Sequence, residues 1–176
     1  DPHYTAGDQW GLNAINAPQA WDTTTGNSSS TPMSERVMVG VIDSGVADHP
    51  DLRDNVYWEM ARDCRNGTAG KEAVTDDETG HGTLVAGVIG AKGNNSSGGA
   101  GVCWNVAIVP LQVLMGNGNT DFDAGAISKA VYYAADNNIP IINCSFVGEN
   151  SEAPYRAAME NYKGLIVCAA GNNGKN

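Results

Sequence analysis

The sequence predicts an α/β fold, a doubly wound and mostly parallel sheet with helices on both faces. Four short apolar runs rich in β-branched residues alternate with longer segments that have helical spacing, and this alternation is typical of parallel strands joined by right-handed crossovers. The predicted strands are Val37 to Ile42, Val106 to Val113, Ile139 to Cys144 and Leu165 to Ala170. The predicted helices span residues 82–91, 121–137 and 153–163.

The last two predicted helices carry the clearest local signals. Gly164 is placed to stop the final helix, and Thr120 and Asp123 have the spacing of a capping pair at the start of the helix before it. Each helix also has an apolar stripe that would cover the sheet. The stripe residues are Ile127, Ala130, Val131 and Ala134 in one helix and Tyr155, Ala158, Met159 and Tyr162 in the other.

Composition limits the function classes. A chain of 176 residues with 41% hydrophobic content can bury one sizeable core, so we expect a single domain. The formal net charge of -10 and the lack of a basic cluster argue against a nucleic-acid partner. No apolar stretch approaches the roughly 18 residues of a membrane span. The cysteines lack the close paired spacing of a zinc site and leave their disulfide state open; they are Cys64, Cys103, Cys144 and Cys168.

Two side chains that can take part in acid–base chemistry lie at the ends of predicted strands and helices. Asp43 closes the first strand, and His81 opens the first helix. In a doubly wound sheet ligands bind at the carboxyl ends of the strands, which is where Asp43 lies. A histidine oriented by a carboxylate is the usual base for a hydroxyl nucleophile. Taken alone, however, an aspartate that ends a strand is more often a loop cap or a metal or phosphate ligand.

A third candidate, Asn172, follows the last predicted strand in the turn Gly171-Asn172-Asn173-Gly174. A preorganised amide donor there could stabilise the oxyanion of an acyl-transfer intermediate. The competing interpretation is a simple turn, because Asn and Gly favour left-handed backbone conformations.

Together these motifs resemble the subtilisin-like serine proteases, the subtilases, and within them the thermitase-like branch. The resemblance runs along nearly the whole chain, at Gln9 to Leu12, Ala17 to Asp22, Asp43 to Gly45, His49 to Leu52, His81 to Ala91, Asn94 to Ser96, Tyr133 to Asp136 and Ala169 to Asn172. It implies a serine endopeptidase in which Asp43 orients His81, His81 is the base and Asn172 is the oxyanion donor. It also implies a secreted or extracellular protein and a single peptidase domain over residues 1–176 that is incomplete at its C-terminal end.

The resemblance assigns substrate-binding segments as well. Ser145, Phe146, Val147 and Gly148 resemble one wall of the primary specificity pocket, and Ala169, Ala170 and Gly171 resemble the other. Gly116, Asn117 and Gly118 resemble the opposite edge, which adds a strand to an extended polypeptide substrate. The chain departs from the family at Val147, where glycine is usual, and a valine side chain should narrow the pocket. A dinucleotide-binding interpretation of Gly116 to Gly118 is weak, because a third glycine is absent.

Calcium is the cofactor that the resemblance implies. Residues 93–101 resemble the strong calcium loop of the family, and the implied ligands are Asp1, Asp51, Gly93, Asn95, Ser97 and Gly99. Carboxylate, amide and carbonyl oxygens are the ligands that calcium takes. An empty glycine-rich loop is the alternative. The acidic run Asp76-Asp77-Glu78 is either a solvated loop or a site that favours a basic substrate residue.

The nucleophilic serine is missing. No Gly-Thr-Ser segment and no Gly-x-Ser-x-Gly elbow occurs in the chain. Two hypotheses follow. The chain is part of an active endopeptidase whose serine comes from a C-terminal segment or a second chain, with a propeptide as a further candidate partner. Alternatively, it is a non-catalytic relative with a peptide-binding or regulatory role. The retention of Asp43, His81 and Asn172 together favours the first.

Overall fold

The structure, a computed structural model, describes residues 1–116, 119–147, 153–172 and 174. Five strands form one parallel sheet in the order β2-β3-β1-β6-β7, and two more form an antiparallel hairpin. The strands are β1 (Met38–Asp43), β2 (Arg62–Asp63), β3 (Ala107–Gln112), β4 (Leu114–Gly116), β5 (Asn119–Phe122), β6 (Ile141–Cys144) and β7 (Leu165–Cys168).

Helices lie on both faces of the sheet, which confirms the predicted fold class. The helices are α1 (Pro2–Thr5), α2 (Trp10–Ala14), α3 (Ala17–Trp21), α4 (His81–Gly90), α5 (Ala124–Asp136) and α6 (Ala153–Asn161). On one face, α4 packs its buried Ala86 against the valines of β1, and on the other face α5 and α6 cover a larger apolar cluster. None of the helices among the described residues is long and apolar enough to cross a bilayer.

β1 is the central strand and it positions the site. It pairs with β3 from Met38 through Asp43 and with β6 from Val39 through Val41. Every β1 residue after Met38 is buried, because helices cover both faces of the strand, and this explains its continuous apolar sequence. The chain therefore delivers Asp43 to the carboxyl edge of the sheet, beside Gln112 at the end of β3.

The predicted capping pair at Thr120 and Asp123 is wrong. Thr120 lies in β5, and α5 begins only at Ala124. Asp123 alone caps this helix, and its Oδ1 accepts a hydrogen bond from the Ala126 amide at 2.6 Å. Strand β5 of the hairpin, which the sequence pattern did not predict, occupies the residues at which the predicted helix was expected to begin.

Helix α4 and the edge strand β7 each leave large apolar side chains in solvent. Leu84 and Val88, one turn apart on α4, are 72% and 64% exposed. On the edge strand β7, Leu165 and Val167 are 59% and 46% exposed. Ile166 between them packs into the cluster under α5 and α6, so Leu165 and Val167 point to the α4 side of the sheet. We call Leu84, Val88, Leu165 and Val167 the α4-side apolar surface.

Candidate active site

Asp43 and His81 form a hydrogen-bonded pair at the carboxyl edge of the sheet. His81 Nδ1 lies 2.8 Å from Asp43 Oδ1. A carboxylate can only accept, so Nδ1 is the nitrogen that donates and Nε2 is left as the basic nitrogen. The Asp43 side chain is fully buried, whereas that of His81 is 48% exposed. The buried Asp43 carboxylate thus orients the His81 imidazole, and about half of the His81 side chain stays accessible to solvent.

The start of α4 is fixed by side chains, and this places His81. The first amides of a helix have no partner inside it, so they need oxygens from elsewhere. The three amides of His81, Gly82 and Thr83 donate, in order, to Thr79 Oγ1 (3.2 Å), Ser44 Oγ (2.9 Å) and Asp77 Oδ2 (2.9 Å). Ser44, which directly follows Asp43, therefore also holds the helix that carries the histidine.

Asp77 connects this helix start to Ser44. Ser44 Oγ lies 2.6 Å from Asp77 Oδ1 and 3.2 Å from Asp43 Oδ1, and its single proton goes to the nearer carboxylate. Both Asp77 oxygens are thus engaged, Oδ1 by Ser44 and the Gly80 amide and Oδ2 by Thr83. Asp77 is therefore engaged within the chain rather than a freely solvated loop acid, and a preference of the acidic run for a basic substrate residue stays a prediction. The sequence signal that could have revealed this role is an aspartate four residues before His81, within capping distance.

Replacing Asp77 with alanine should destabilise the chain by about 0.5–2 kcal/mol, since the Thr83 amide at the start of α4 loses its acceptor oxygen. Urea unfolding monitored by circular dichroism measures this. The matched control is Asp76→Ala, which removes the same charge from the neighbouring position without touching the α4 amides. Equal unfolding midpoints for the two variants would contradict the capping role.

Gly82 allows α4 to approach β1 closely. A Cβ at this position would lie 2.1 Å from the Gly45 carbonyl oxygen and 3.2 Å from Asp43 Oδ1. Any side chain would therefore push the helix away from the end of β1. The sequence motif around His81 contains this glycine but does not explain it, because the reason is a contact between two separate elements.

Asn172 lies at the same edge of the sheet, beyond β7. It is exposed and follows Gly171, whose φ of 84° turns the chain after the strand. Strand β6 stands between β1 and β7, which places the two strand ends on the order of 10 Å apart. No hydrogen bond joins Asn172 to Asp43 or His81 within the described ranges. The structure thus brings the acid and base together and sets Asn172 two strands away at the same edge of the sheet.

The predicted substrate walls follow neighbouring strands. Ser145 accepts a hydrogen bond from the Asn143 side chain at 2.8 Å, and Phe146 stacks on Phe122 with ring centroids 4.4 Å apart. Val147 is 60% exposed, and the narrowing of a pocket by its side chain stays a prediction. After β7, Ala169 and Ala170 are exposed and Gly171 is partly buried. Gly116 ends β4; Asn117, Gly118 and Gly148 lie outside the described residues.

The predicted calcium loop closes around two carboxylates. Asp1 accepts backbone hydrogen bonds from Asn94 and Asn95 at 2.7 and 3.0 Å. Asp51, which is only 4% exposed, accepts from the Asn95 side-chain amide at 2.7 Å and from the Gly99 backbone at 3.0 Å. Four residues of the predicted ligand set therefore meet in one place.

The other two predicted ligands support this loop from either side. Ser97 donates its backbone N–H to Asn95 Oδ1 at 2.9 Å. Gly93 lies against the ring of Trp104, where a Cβ would come within 2.3 Å of ring atoms. Ser97 thus holds the loop through its backbone N–H, and Gly93 leaves room for the Trp104 ring.

The fold and the Asp43–His81 pair define a class: an α/β protein with a histidine base and a buried orienting acid at the carboxyl edge of a parallel sheet. Comparison with known families is more specific, because the model of the subtilase family, Peptidase_S8, matches residues 34–176. The chain belongs to the subtilase family.

Its relatives are serine proteases. Thermitase from Thermoactinomyces vulgaris is 31% identical over 99% of this chain and 58% of its own length. An intracellular serine protease from Paenibacillus polymyxa is 34% identical over 93% of this chain and 48% of its own. Among solved structures, the psychrophilic protease S41 has a TM-score of 0.68 at 33% identity, covering 79% of this chain and 47% of that one. The chain thus spans about half the length of the relatives it matches.

Proposed function

We propose that this chain supplies the orienting acid, the base and the oxyanion donor of a serine endopeptidase, and that the nucleophilic serine comes from a C-terminal segment or a second chain. The single observation that carries this proposal is the 2.8 Å contact between His81 Nδ1 and a fully buried Asp43, with the histidine open to solvent. A base so oriented and so exposed is what a weak hydroxyl nucleophile needs.

The chemistry follows from this geometry. His81 Nε2 takes the proton of the incoming serine hydroxyl while the serine oxygen bonds to the carbonyl carbon of the peptide. Asp43 stabilises the imidazolium through Nδ1–H without taking the proton itself. The amide of Asn172 donates to the oxyanion that forms. His81 then gives its proton to the departing amine, and water repeats the cycle on the acyl-enzyme.

We do not assign the nucleophile to Ser44 or Ser145, the serines that directly follow β1 and β6. The Ser44 hydroxyl donates to Asp77 and accepts from the Gly82 amide, so it is fully engaged in holding α4. Ser145 follows β6 and accepts from Asn143. We therefore expect the isolated chain to be inactive.

The α4-side apolar surface supports a missing segment. Leu84 and Val88 on α4 and Leu165 and Val167 on β7, at the edge of the sheet, are large apolar side chains exposed to solvent. A solvent-exposed edge strand with apolar neighbours is a surface that proteins normally cover. The segment that brings the serine would cover it and approach His81 from the same side of the sheet.

A turnover assay separates this proposal from the non-catalytic alternative. The chain alone should leave casein intact, and the polypeptide that carries the chain together with the missing segment should hydrolyse it. A longer polypeptide that binds casein peptides without cleaving them would overturn the peptidase proposal and favour a peptide-binding role.

We further propose that the loop around Asp51 binds a structural calcium ion. Asp51 is nearly buried, and no Lys or Arg side chain among the described residues pairs with it. A buried carboxylate without a cationic partner is costly unless a cation is supplied. The Asn95 amide now turns its nitrogen toward Asp51; rotated by about 180°, it would offer its oxygen to the same ion.

Calcium removal should therefore lower the melting temperature. An ion bound only to the native state stabilises it by about 2.7 kcal/mol at a hundredfold excess over its Kd, which corresponds to a shift of about 5–11 °C for a chain of this size. Differential scanning fluorimetry with calcium and with a chelator measures the shift. The Asp51→Asn variant should lose it, and the exposed-site control Asp8→Asn should keep it. A wild-type melting temperature that calcium does not change would contradict the proposed calcium site.

We propose an extracellular location, which the membership of the subtilase family supports. The relatives include proteins named as intracellular, from Paenibacillus polymyxa and from Bacillus subtilis strain 168. Immunodetection in the culture medium of the source cells tests the proposal, and retention of all the protein inside the cells would contradict it.

A further inference from the structure

Two cysteines face each other across the last pair of strands. Cys144 ends β6 and Cys168 ends β7, and the two residues are register partners in the parallel ladder. Pairing continues to the strand ends, since the Ala169 amide donates to the Cys144 carbonyl oxygen at 3.1 Å. Register partners on adjacent strands point to the same face of a sheet, with Cα atoms about 4.8 Å apart. That separation lies within the range of about 4.4–6.8 Å found for disulfides.

The two thiols differ in access to solvent. Cys144 is 1% exposed and belongs to the core cluster under α5 and α6. Burial raises the pKa of the Cys144 thiol to about 12, and the neighbouring Cys168 thiol contributes to the same shift. Cys168 is exposed. A reagent in solution can therefore reach the Cys168 thiol, and the buried Cys144 thiol lies beside it.

The other two cysteines have no such partner among the strand pairings of the described residues. Cys64 is buried in the core, and its thiol lies near the Arg62 carbonyl oxygen. Cys103 is half-buried beside the carbonyl oxygens of Thr25 and Asn105. They serve as internal controls, since a reagent that oxidised cysteines indiscriminately would not single out the strand-end pair.

We propose that Cys144 and Cys168 form a redox site that a small-molecule disulfide, such as oxidised glutathione, converts into an intramolecular disulfide. The Cys168 thiolate attacks one sulfur of the reagent and releases one molecule of thiol. The Cys144 thiolate then attacks the Cys168 sulfur and releases the second. Two protein thiols lose two hydrogens in total, and the reagent is reduced to two thiols. Among the strands that the structure describes, β7 pairs with β6 alone, at the edge of the sheet.

The site lies directly before the segment with the proposed oxyanion donor. Cys168 is the last residue of β7, and Ala169, Ala170, Gly171 and Asn172 follow it. A disulfide would link the carboxyl end of β7 to β6 and so hold the first residues of that segment in place. The proposal itself does not depend on peptidase activity, because it concerns only the thiols of this chain.

The test is oxidation of the folded chain with oxidised glutathione, followed by digestion without reduction and mass spectrometry of the peptides. The expected product is a peptide pair joined through Cys144 and Cys168. The Cys103→Ser variant should form it as the wild type does. Cys144→Ser should stop at a glutathione adduct on Cys168, and Cys168→Ser, a change at an exposed site that keeps the fold, should form neither product.

The closure rate gives an independent readout. Thiolate is the attacking species, and at a Cys144 pKa of about 12 its fraction rises about tenfold per pH unit between about pH 7 and pH 9. Closure should accelerate to the same degree. An adduct on Cys168 that never closes at the alkaline end of this range, a Cys168 bridge between two chains, or a bridge from Cys144 to Cys64 would each overturn the proposal.

Discussion

Replacing His81 with alanine, in a polypeptide that also carries the nucleophile, is expected to lower kcat for peptide hydrolysis by about 10⁶-fold, the magnitude known for the corresponding loss in subtilisin, a member of this same family. The physical reason is that no other histidine of the described residues lies at the carboxyl end of β1, so the serine would keep its proton. Asp43→Asn should cost about 10⁴-fold, again on the scale known for subtilisin, since an amide neither orients Nδ1–H correctly nor stabilises the imidazolium.

His3→Ala is the matched control for this loss. The His3 side chain is exposed and pairs with Asp8 near the N-terminus, away from α4. Its removal should leave kcat unchanged within the error of a steady-state assay. If His81→Ala kept wild-type turnover while His3→Ala was also normal, the base would have to be another group and the proposed mechanism would fail.

Replacing Gly82 with alanine is expected to destabilise the chain by at least about 3 kcal/mol. The added methyl group would meet the Gly45 carbonyl oxygen at 2.1 Å, and a backbone atom cannot rotate aside as a side chain can. Relief requires α4 to move away from β1, which also breaks the bond from the Gly82 amide to Ser44. Urea unfolding monitored by circular dichroism gives the loss directly.

Gly87→Ala supplies a control on the same helix. A Cβ at Gly87 meets nothing within 4 Å. Alanine is also the better helix former, so this variant should gain about 0.5–1 kcal/mol. The two substitutions add the same methyl group to the same helix α4. Opposite changes in the free energy of unfolding would therefore isolate the effect of the contact between Gly82 and β1. A Gly82→Ala variant as stable as Gly87→Ala would show that the helix does not approach β1 as described.

Four of the five strands of the sheet and its three longer helices could be predicted because their signals are local, whereas the two-residue strand β2 is too short to leave such a signal. A run such as Val39 to Ile42 is apolar throughout because it is covered on both faces, and a strand of that kind ends where its polar residue begins. The position of Asp43 followed from this alone. The pairing of Asp43 with His81 was predicted from the resemblance to the subtilases, which assigns them as orienting acid and base.

What could not be predicted depends on contacts between distant segments. Ser44 and Gly82 are joined by a hydrogen bond only because α4 begins beside the end of β1, and no local pattern encodes that. The β4–β5 hairpin was missed because its Gly and Asn residues lack strand alternation, while Thr120 and Asp123 imitate a helix cap. Likewise, the spacing of Cys144 and Cys168 became informative only once β6 and β7 were seen to pair in register.

Labelling with a serine-directed fluorophosphonate probe is the sharpest test of the proposed site. The polypeptide that carries this chain and its missing segment would be labelled, digested and mapped by mass spectrometry, with His81→Ala treated in parallel. We expect one labelled serine outside residues 1–176 and loss of that label in the His81→Ala variant. Labelling of Ser44 or Ser145, or a downstream label that persists without His81, would contradict the assignment of this chain as the acid and base half of a serine peptidase site.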